Sequence, residues 1–304
     1  MLTRPEFLVN VVGVLLTAHA LISSAYMIHE CVHQNVFARI VSNDRLGMLM
    51  SWINGSCLAD YQRLKIKHLR HHTDRLDVVT FDYRAVLRRA PLWIRRAVLV
   101  LEWAYIPVVE FLMRAMIVVV PVRHGTLRDR TRTVSLLVVR MALWAALALV
   151  SVKALMLYAL SYLIFLQVLR FMDAFQHTYE VFPSQSLAPA PPDPRRTRLY
   201  EYENTYSNLL ATRWTWLNLL VLNFPYHNAH HTKTGVPWYG LPALHRELYG
   251  EENRQVMPCR DLIANYHRYR VERILAEDYG SVADGRQRAS GFLGAVGVSF
   301  LTAV

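Results

Sequence analysis

An apolar run from Phe7 to Ile28 leads straight into His29-Glu-Cys-Val-His33. The run has about the twenty residues that a bilayer core requires, with one polar stretch of note, Ser23-Ser24, and one histidine, His19. One basic residue precedes it and no small-residue cleavage site follows, so it reads as a retained membrane helix and not a secretory leader. Whatever the chain folds into must therefore place a histidine pair at the end of a spanning helix.

The rest of the chain repeats that alternation. Of its 304 residues 53% are hydrophobic, yet the net charge is +11, and the positive charge sits in blocks between apolar runs. This pattern predicts a membrane protein with a basic cytosolic face and no nucleic-acid partner. Residues 59–96 carry ten Lys or Arg and are placed in the cytosol. Three cysteines, Cys31, Cys57 and Cys259, have neither metal-ligand nor redox-motif spacing and argue against a disulfide scaffold.

Hydropathy and charge predict an all-α integral membrane protein, a single domain over residues 1–287, with spans at about 7–28, 134–150 and 154–172. The run 46–58 is short and interrupted by Asn54-Gly55, which suits a re-entrant segment. Residues 91–122 contain Glu102, Glu110 and Arg114, so they are read as an interfacial helix or shallow hairpin. A cytosolic helical cap is expected over 173–287, followed by an apolar tail, 288–304, that docks on the membrane or frays.

Eight of the thirteen histidines fall in three windows: His29 and His33; His68, His71 and His72; His227, His230 and His231. On a helix, positions i, i+3 and i+4 share a face, so each window can aim imidazoles at a common point. Imidazole suits iron, zinc, copper or nickel, and eight ligands exceed what one ion accepts, so two metals are expected. His177 stands at the inner end of the last span, level with the clusters, and is a ninth candidate. His19, His124, His245 and His267 are scattered and read as structural. Glu30, Asp74 and Glu180 are candidates to accept a hydrogen bond from a ligand imidazole and fix its tautomer. Trp214, Trp216, Trp238 and Tyr239 are candidates for a substrate tunnel mouth, although such residues also gather at membrane interfaces without a substrate role.

One HxxxH box and two HxxHH boxes between apolar spans resemble the membrane fatty acid desaturase and hydroxylase superfamily. Glu203-Asn-Thr-Tyr-Ser207 and Gly235-Val-Pro-Trp-Tyr-Gly-Leu-Pro-Ala-Leu-His245, which flank the third box, are similar to that family too. The resemblance covers roughly residues 10 to 250. It implies two non-haem iron ions at the cytoplasmic membrane surface, dioxygen as co-substrate and a lipid acyl chain in a tunnel between helices. It further implies desaturation, with hydroxylation of a lipid or alkyl chain as the alternative. Some relatives place Asn four residues before the extra histidine where this chain has Asp173, which allows a carboxylate contact to one metal. One span precedes the first box where relatives commonly have two, so either the amino terminus lies outside or a span is missing. No His-Pro-Gly-Gly haem motif occurs. Electrons are thus expected from a separate ferredoxin- or cytochrome-type donor and its reductase, drawn to the basic surface of residues 59–96.

Two rival readings compete with this one. His29-Glu30-Cys31-Val32-His33 is also HExxH, the zinc peptidase signature, with Glu30 as general base. That leaves the six histidines of the other boxes unexplained. A metal transporter or sensor would need ionisable residues along its spans, and 134–150 and 154–169 offer only Arg140 and a few hydroxyls.

Overall fold

The computed structural model describes residues 4–183, 189–250, 254–283 and 288–304, and the expected boundary at 287/288 falls outside them. The chain is mostly helical. Three helices are long and apolar enough to cross a membrane: α1 (Arg4–Val32), α7 (Leu127–Val150) and α8 (Val152–Ala174). The outer turns of α1 leave Phe7, Leu8, Leu15 and Leu16 exposed, whereas its last turns bury Ala25, Tyr26, Ile28 and Cys31. Exposed apolar side chains along a helix of this length are what acyl chains would cover. The turn between α7 and α8 is Ser151 alone, shorter than the expected link of residues 151–153. Its hydroxyl accepts from Ala154 N and so caps α8 while the chain reverses.

Between α1 and α7 lie α2 (Ile40–Asn54), α3 (Tyr61–Asp74), the short strand β1 (Asp77–Val79), α4 (Tyr83–Arg89), α5 (Leu92–Trp103) and α6 (Val108–His124). The apolar stretch 46–58 is thus divided between α2, which ends at Asn54, and a 3-10 turn, Ser56–Leu58, with Gly55 between them turning the chain at a φ of +80°. Broken helices are tolerated at membrane depth only when their freed backbone groups are satisfied. Here Arg140 donates to Trp52 O, Arg132 donates to Cys57, Leu58 and Ala59 O, and the Asn54 carboxamide oxygen accepts from Ser56 N. Asp60 then accepts from Gln62 N and Arg63 N, which starts α3. α5 and α6 meet at 116°. The bend is held by Glu102, which accepts from Val109 N through one oxygen and pairs with Arg170 of α8 through the other at 2.6 Å.

Beyond α8 the chain forms β2 (Val181–Pro183), which pairs in parallel with β1, Asp77 opposite Val181. Short helices follow: α9 (Arg198–Glu203), α10 (His227–Thr232), α11 (Leu241–Tyr249), α12 (Cys259–Arg268) and α13 (Glu272–Leu275).

Residues 292–304 correct the expectation of a docking or fraying tail. Phe292, Ala295, Val296, Phe300, Leu301, Ala303 and Val304 are all buried. The buried Lys67 ammonium donates to Ser299 O and Thr302 O, and Gly297 N donates to Glu110. At Gly297, φ is +75° and a Cβ would lie 2.7 Å from Met113 Cε, so only glycine passes there. An irregular apolar run of this length is too short to span, but inside the bundle it buries side chains and satisfies its backbone on polar neighbours.

The basic residues of 59–96 are less free than their count suggests. Arg63, Lys65, Arg75 and Arg88 pair with Asp129, Asp44, Glu201 and Glu277.

Candidate metal centre

The three histidine windows do not each converge on one point. Adjacent helical positions differ by about 100°, so His71 and His72 of α3 face different ways, whereas i and i+4 stay on one face. One group therefore gathers His29 and His33 from the end of α1, His68 and His72 from α3, and His230 from α10. The other gathers His71 from α3, His227 and His231 from α10, and His177 from just beyond α8. Within each group the candidate ligand atoms lie within 4.8 Å of one another. In the first, His68 Nε2 is 2.8 Å from His33 Nε2 and 3.1 Å from His72 Nε2, and His72 Nε2 is 3.2 Å from His230 Nε2. In the second, His177 Nε2 is 3.1 Å from His71 Nε2 and 2.8 Å from His227 Nε2. Two nitrogens bound to one ion at about 2.0–2.1 Å stand roughly 3 Å apart, so these separations suit a shared cation. The groups adjoin, with the His72 and His231 rings 4.2 Å apart.

The chemistry of the donor set gives a second test of fit. Both ring nitrogens of His29, Nδ1 of His72, His227 and His230, and Nε2 of His231 are buried without a hydrogen-bond partner. His29 Nδ1 lies 3.4 Å from Glu30, but not in hydrogen-bond geometry. The unpartnered nitrogens of His29 and Nε2 of His231 would be costly unless cations bind there, whereas Nδ1 of His72, His227 and His230 lies on the side of each ring away from the Nε2 contacts. Burial first, and neighbouring imidazoles second, hold His33, His68, His72, His177, His227, His230 and His231 well below the usual histidine range. These seven imidazoles are thus kept neutral, the form that binds metal.

A depressed folded value means that the unfolded chain binds protons the folded cluster refuses. Stability from this source is fully present above the unfolded histidine value of about 6.5 and is lost as pH falls from there toward the folded values. Metal-stripped protein is accordingly expected to melt at a lower temperature at each step down from neutral pH, while a flat melting profile would count against a neutral buried cluster.

Two carboxylates that sequence reasoning missed set the orientation of imidazoles. Glu201 Oε1 lies 3.2 Å from His231 Nδ1, while its other oxygen holds Arg75 at 2.9 Å and Arg198 at 2.8 Å. Thr197 accepts from Tyr200 N at the start of α9 and thereby positions Glu201. Asp77 lies 3.2 Å from His71 Nδ1, which also reaches Leu76 O at 2.8 Å. Pairing of β1 with β2 holds Asp77 there. Each contact engages Nδ1 and leaves Nε2 to point into the group. The signals were present: Glu201 stands two residues before Glu203-Asn-Thr-Tyr-Ser207, and Asp77 five after the second box. Asn228 of the third box binds Thr205 O and Ser207 Oγ of that same segment.

The other candidates divide. Glu30 sits beside His29, and its second oxygen accepts from Trp238 N, which ties the first box to the stretch after the third. Asp173 lines a small cavity with His68, His71, His177 and His227 but belongs to neither group. Asp74 pairs with Arg70 at 3.2 Å and Glu180 with Arg195 and Arg196, because both carboxylates turn outward. Trp214, Trp216 and Tyr239 are 60%, 63% and 67% exposed, and Trp238 is half-buried. The 3-10 turn Thr215–Val221 directs its tryptophan out, so these four do not form an internal tunnel wall. His19 and His124 are exposed, His245 packs on Tyr226 and Tyr249, and His267 Nδ1 meets Tyr105 Oη.

A family model described as fatty acid desaturase matches residues 5–262. No curated protein and no solved structure matches the chain.

Proposed function

Since the chain belongs to the fatty acid desaturase family, we propose that it is a non-haem di-iron oxidoreductase that introduces a double bond into a fatty acyl chain. The observation that carries this reading is the sorting of nine histidines into two adjoining nitrogen-donor groups, one of five and one of four. His29, His33, His68, His72 and His230 would hold one iron and His71, His177, His227 and His231 the other.

When bound, the two irons supply the redox chemistry by which dioxygen and two electrons remove hydrogen from an unactivated C–H bond. In the overall balance, two hydrogens leave adjacent carbons, two protons and two electrons enter, and dioxygen becomes two waters. Hydroxylation differs in that one oxygen atom stays on the carbon and one water forms.

The protein's part is to hold the donors and to keep the site dry. Glu201 and Asp77 fix the tautomers of His231 and His71. Phe300 packs edge-on against the rings of His29 and His68, and Phe224 against His29 and His227, so apolar walls meet the imidazoles. Such walls accept an alkyl chain and exclude water from the reacting carbons. The basic segments around α3 and α7 support a cytoplasmic placement of the site. Two electrons per turnover call for a separate carrier and its reductase.

The test is turnover by purified protein with ferredoxin, its reductase and an acyl lipid under oxygen, with products identified by mass spectrometry. Loss of two hydrogens supports desaturation, gain of one oxygen moves the assignment to hydroxylation, and an iron-loaded protein that consumes no oxygen with any acyl lipid would sink both.

A further inference from the structure

A second, larger cavity lies between α6, α7 and α8. It measures about 640 Å³ and is walled by apolar side chains, among them Phe111, Ile117, Leu137 and Trp144. That volume is within the range of about 300–1,000 Å³ typical of small-molecule sites. Two charged residues line it, Arg114 and Arg140, and no Asp or Glu does among the described residues. Neither arginine forms an ion pair among the described residues.

Arg140 stands near the middle of α7, where it caps Trp52 O at 2.7 Å and lies over the Trp144 ring. Its position is thus explained by the broken helix α2. Arg114 is not explained in that way. Its Nε donates to Tyr162 Oη at 3.0 Å, but its Nη1 is buried and has no hydrogen-bond partner. Glu110, one turn earlier, spends an oxygen on Gly297 N. A charged group at membrane depth is costly and marks a functional site by default. Apolar walls around an unspent guanidinium N–H complement an aliphatic chain that ends in an anion.

The cavity also leads toward the metal centre. Leu301 lines it, and Phe300, the next residue, lines the small cavity beneath His68, His71, His177 and His227. From Tyr162, which holds Arg114, to Ala174 at the inner end of α8 is about 18 Å at the helical rise. An anionic group at Arg114 would therefore direct the chain along α8 toward the partition formed by Phe300 and Leu301.

We propose that this cavity seats the substrate, and that the substrate is a long single-chain lipid whose one anionic group, a carboxylate or a phosphate, is bound by Arg114 within the membrane. Its role in the reaction rests on the di-iron reading above, but its binding does not. The test is equilibrium binding of tritiated palmitate to the full-length protein in detergent, with hexadecanol and lysophosphatidic acid as competitors and iron measured on the same samples. A charge-assisted hydrogen bond predicts that hexadecanol competes about tenfold less well than palmitate, and that Arg114→Met weakens palmitate by about tenfold or more. Arg114→Met should leave hexadecanol binding and iron content as they were. Stronger competition by lysophosphatidic acid than by palmitate assigns the anion as phosphate, and the reverse as carboxylate. Equal binding of palmitate and hexadecanol by the unmodified protein overturns the proposal without need of a variant, as does an Arg114→Met protein that loses both alike. Charge-selective binding in a protein that holds no iron would defeat the di-iron reading and leave this site standing.

Discussion

His71→Ala is expected to take the purified protein from two bound irons to one and its oxidase activity to background. His71 belongs to the four-histidine group, so its loss leaves three imidazoles for that ion and frees Asp77 from its partner. His230→Ala tests the other group, where four imidazoles would remain, and the loss of iron should be smaller and easier to reverse with added metal. Metal affinity depends on the number and deprotonation of ligands, which is why the smaller set should fail first. Elemental analysis after chelator challenge checks both. Membrane insertion should not change, because the apolar helices α1, α7 and α8 do not depend on either imidazole. Unaltered iron in the His71→Ala protein would remove the basis for the ligand assignment, and a single zinc per chain would favour the peptidase reading of the HExxH segment.

Glu102→Ala should be the most damaging change outside the metal centre. Glu102 and Arg170 are both buried, 2.6 Å apart, and the second Glu102 oxygen holds Val109 N at the 116° bend between α5 and α6. Removal of one partner leaves the other charge buried and unpaired, a loss on the order of 3–5 kcal/mol. Gln retains the bond to Val109 N but not the charge, so Glu102→Gln should fall between Ala and the unmodified protein. Melting temperature in detergent ranks the three, and identical values for Ala and the unmodified chain would show that the pair does not hold the bend.

The sequence alone determined the parts of this protein that depend on local composition. Spans were readable because a bilayer requires a long uninterrupted apolar run, which α1, α7 and α8 have. The histidine boxes were readable because helical spacing is local, and His177 because its place at the end of α8 follows from the length of that span. Helical spacing already separates His71 from His72 and keeps i with i+4, but tertiary structure alone decided which sets meet, since the joining of His68 and His72 with His29, His33 and His230 depends on how α1, α3 and α10 face each other. It also decided which carboxylates serve them. Asp74 and Glu180 stand closer in sequence to a candidate histidine than Asp77 and Glu201 do, but the pairing of β1 with β2 and the cap at Thr197 turn only the latter two inward. The apolar segment 292–304 went astray for the same reason. Hydropathy measures how much a segment gains from leaving water, and it does not say whether lipid or the protein's own interior receives it.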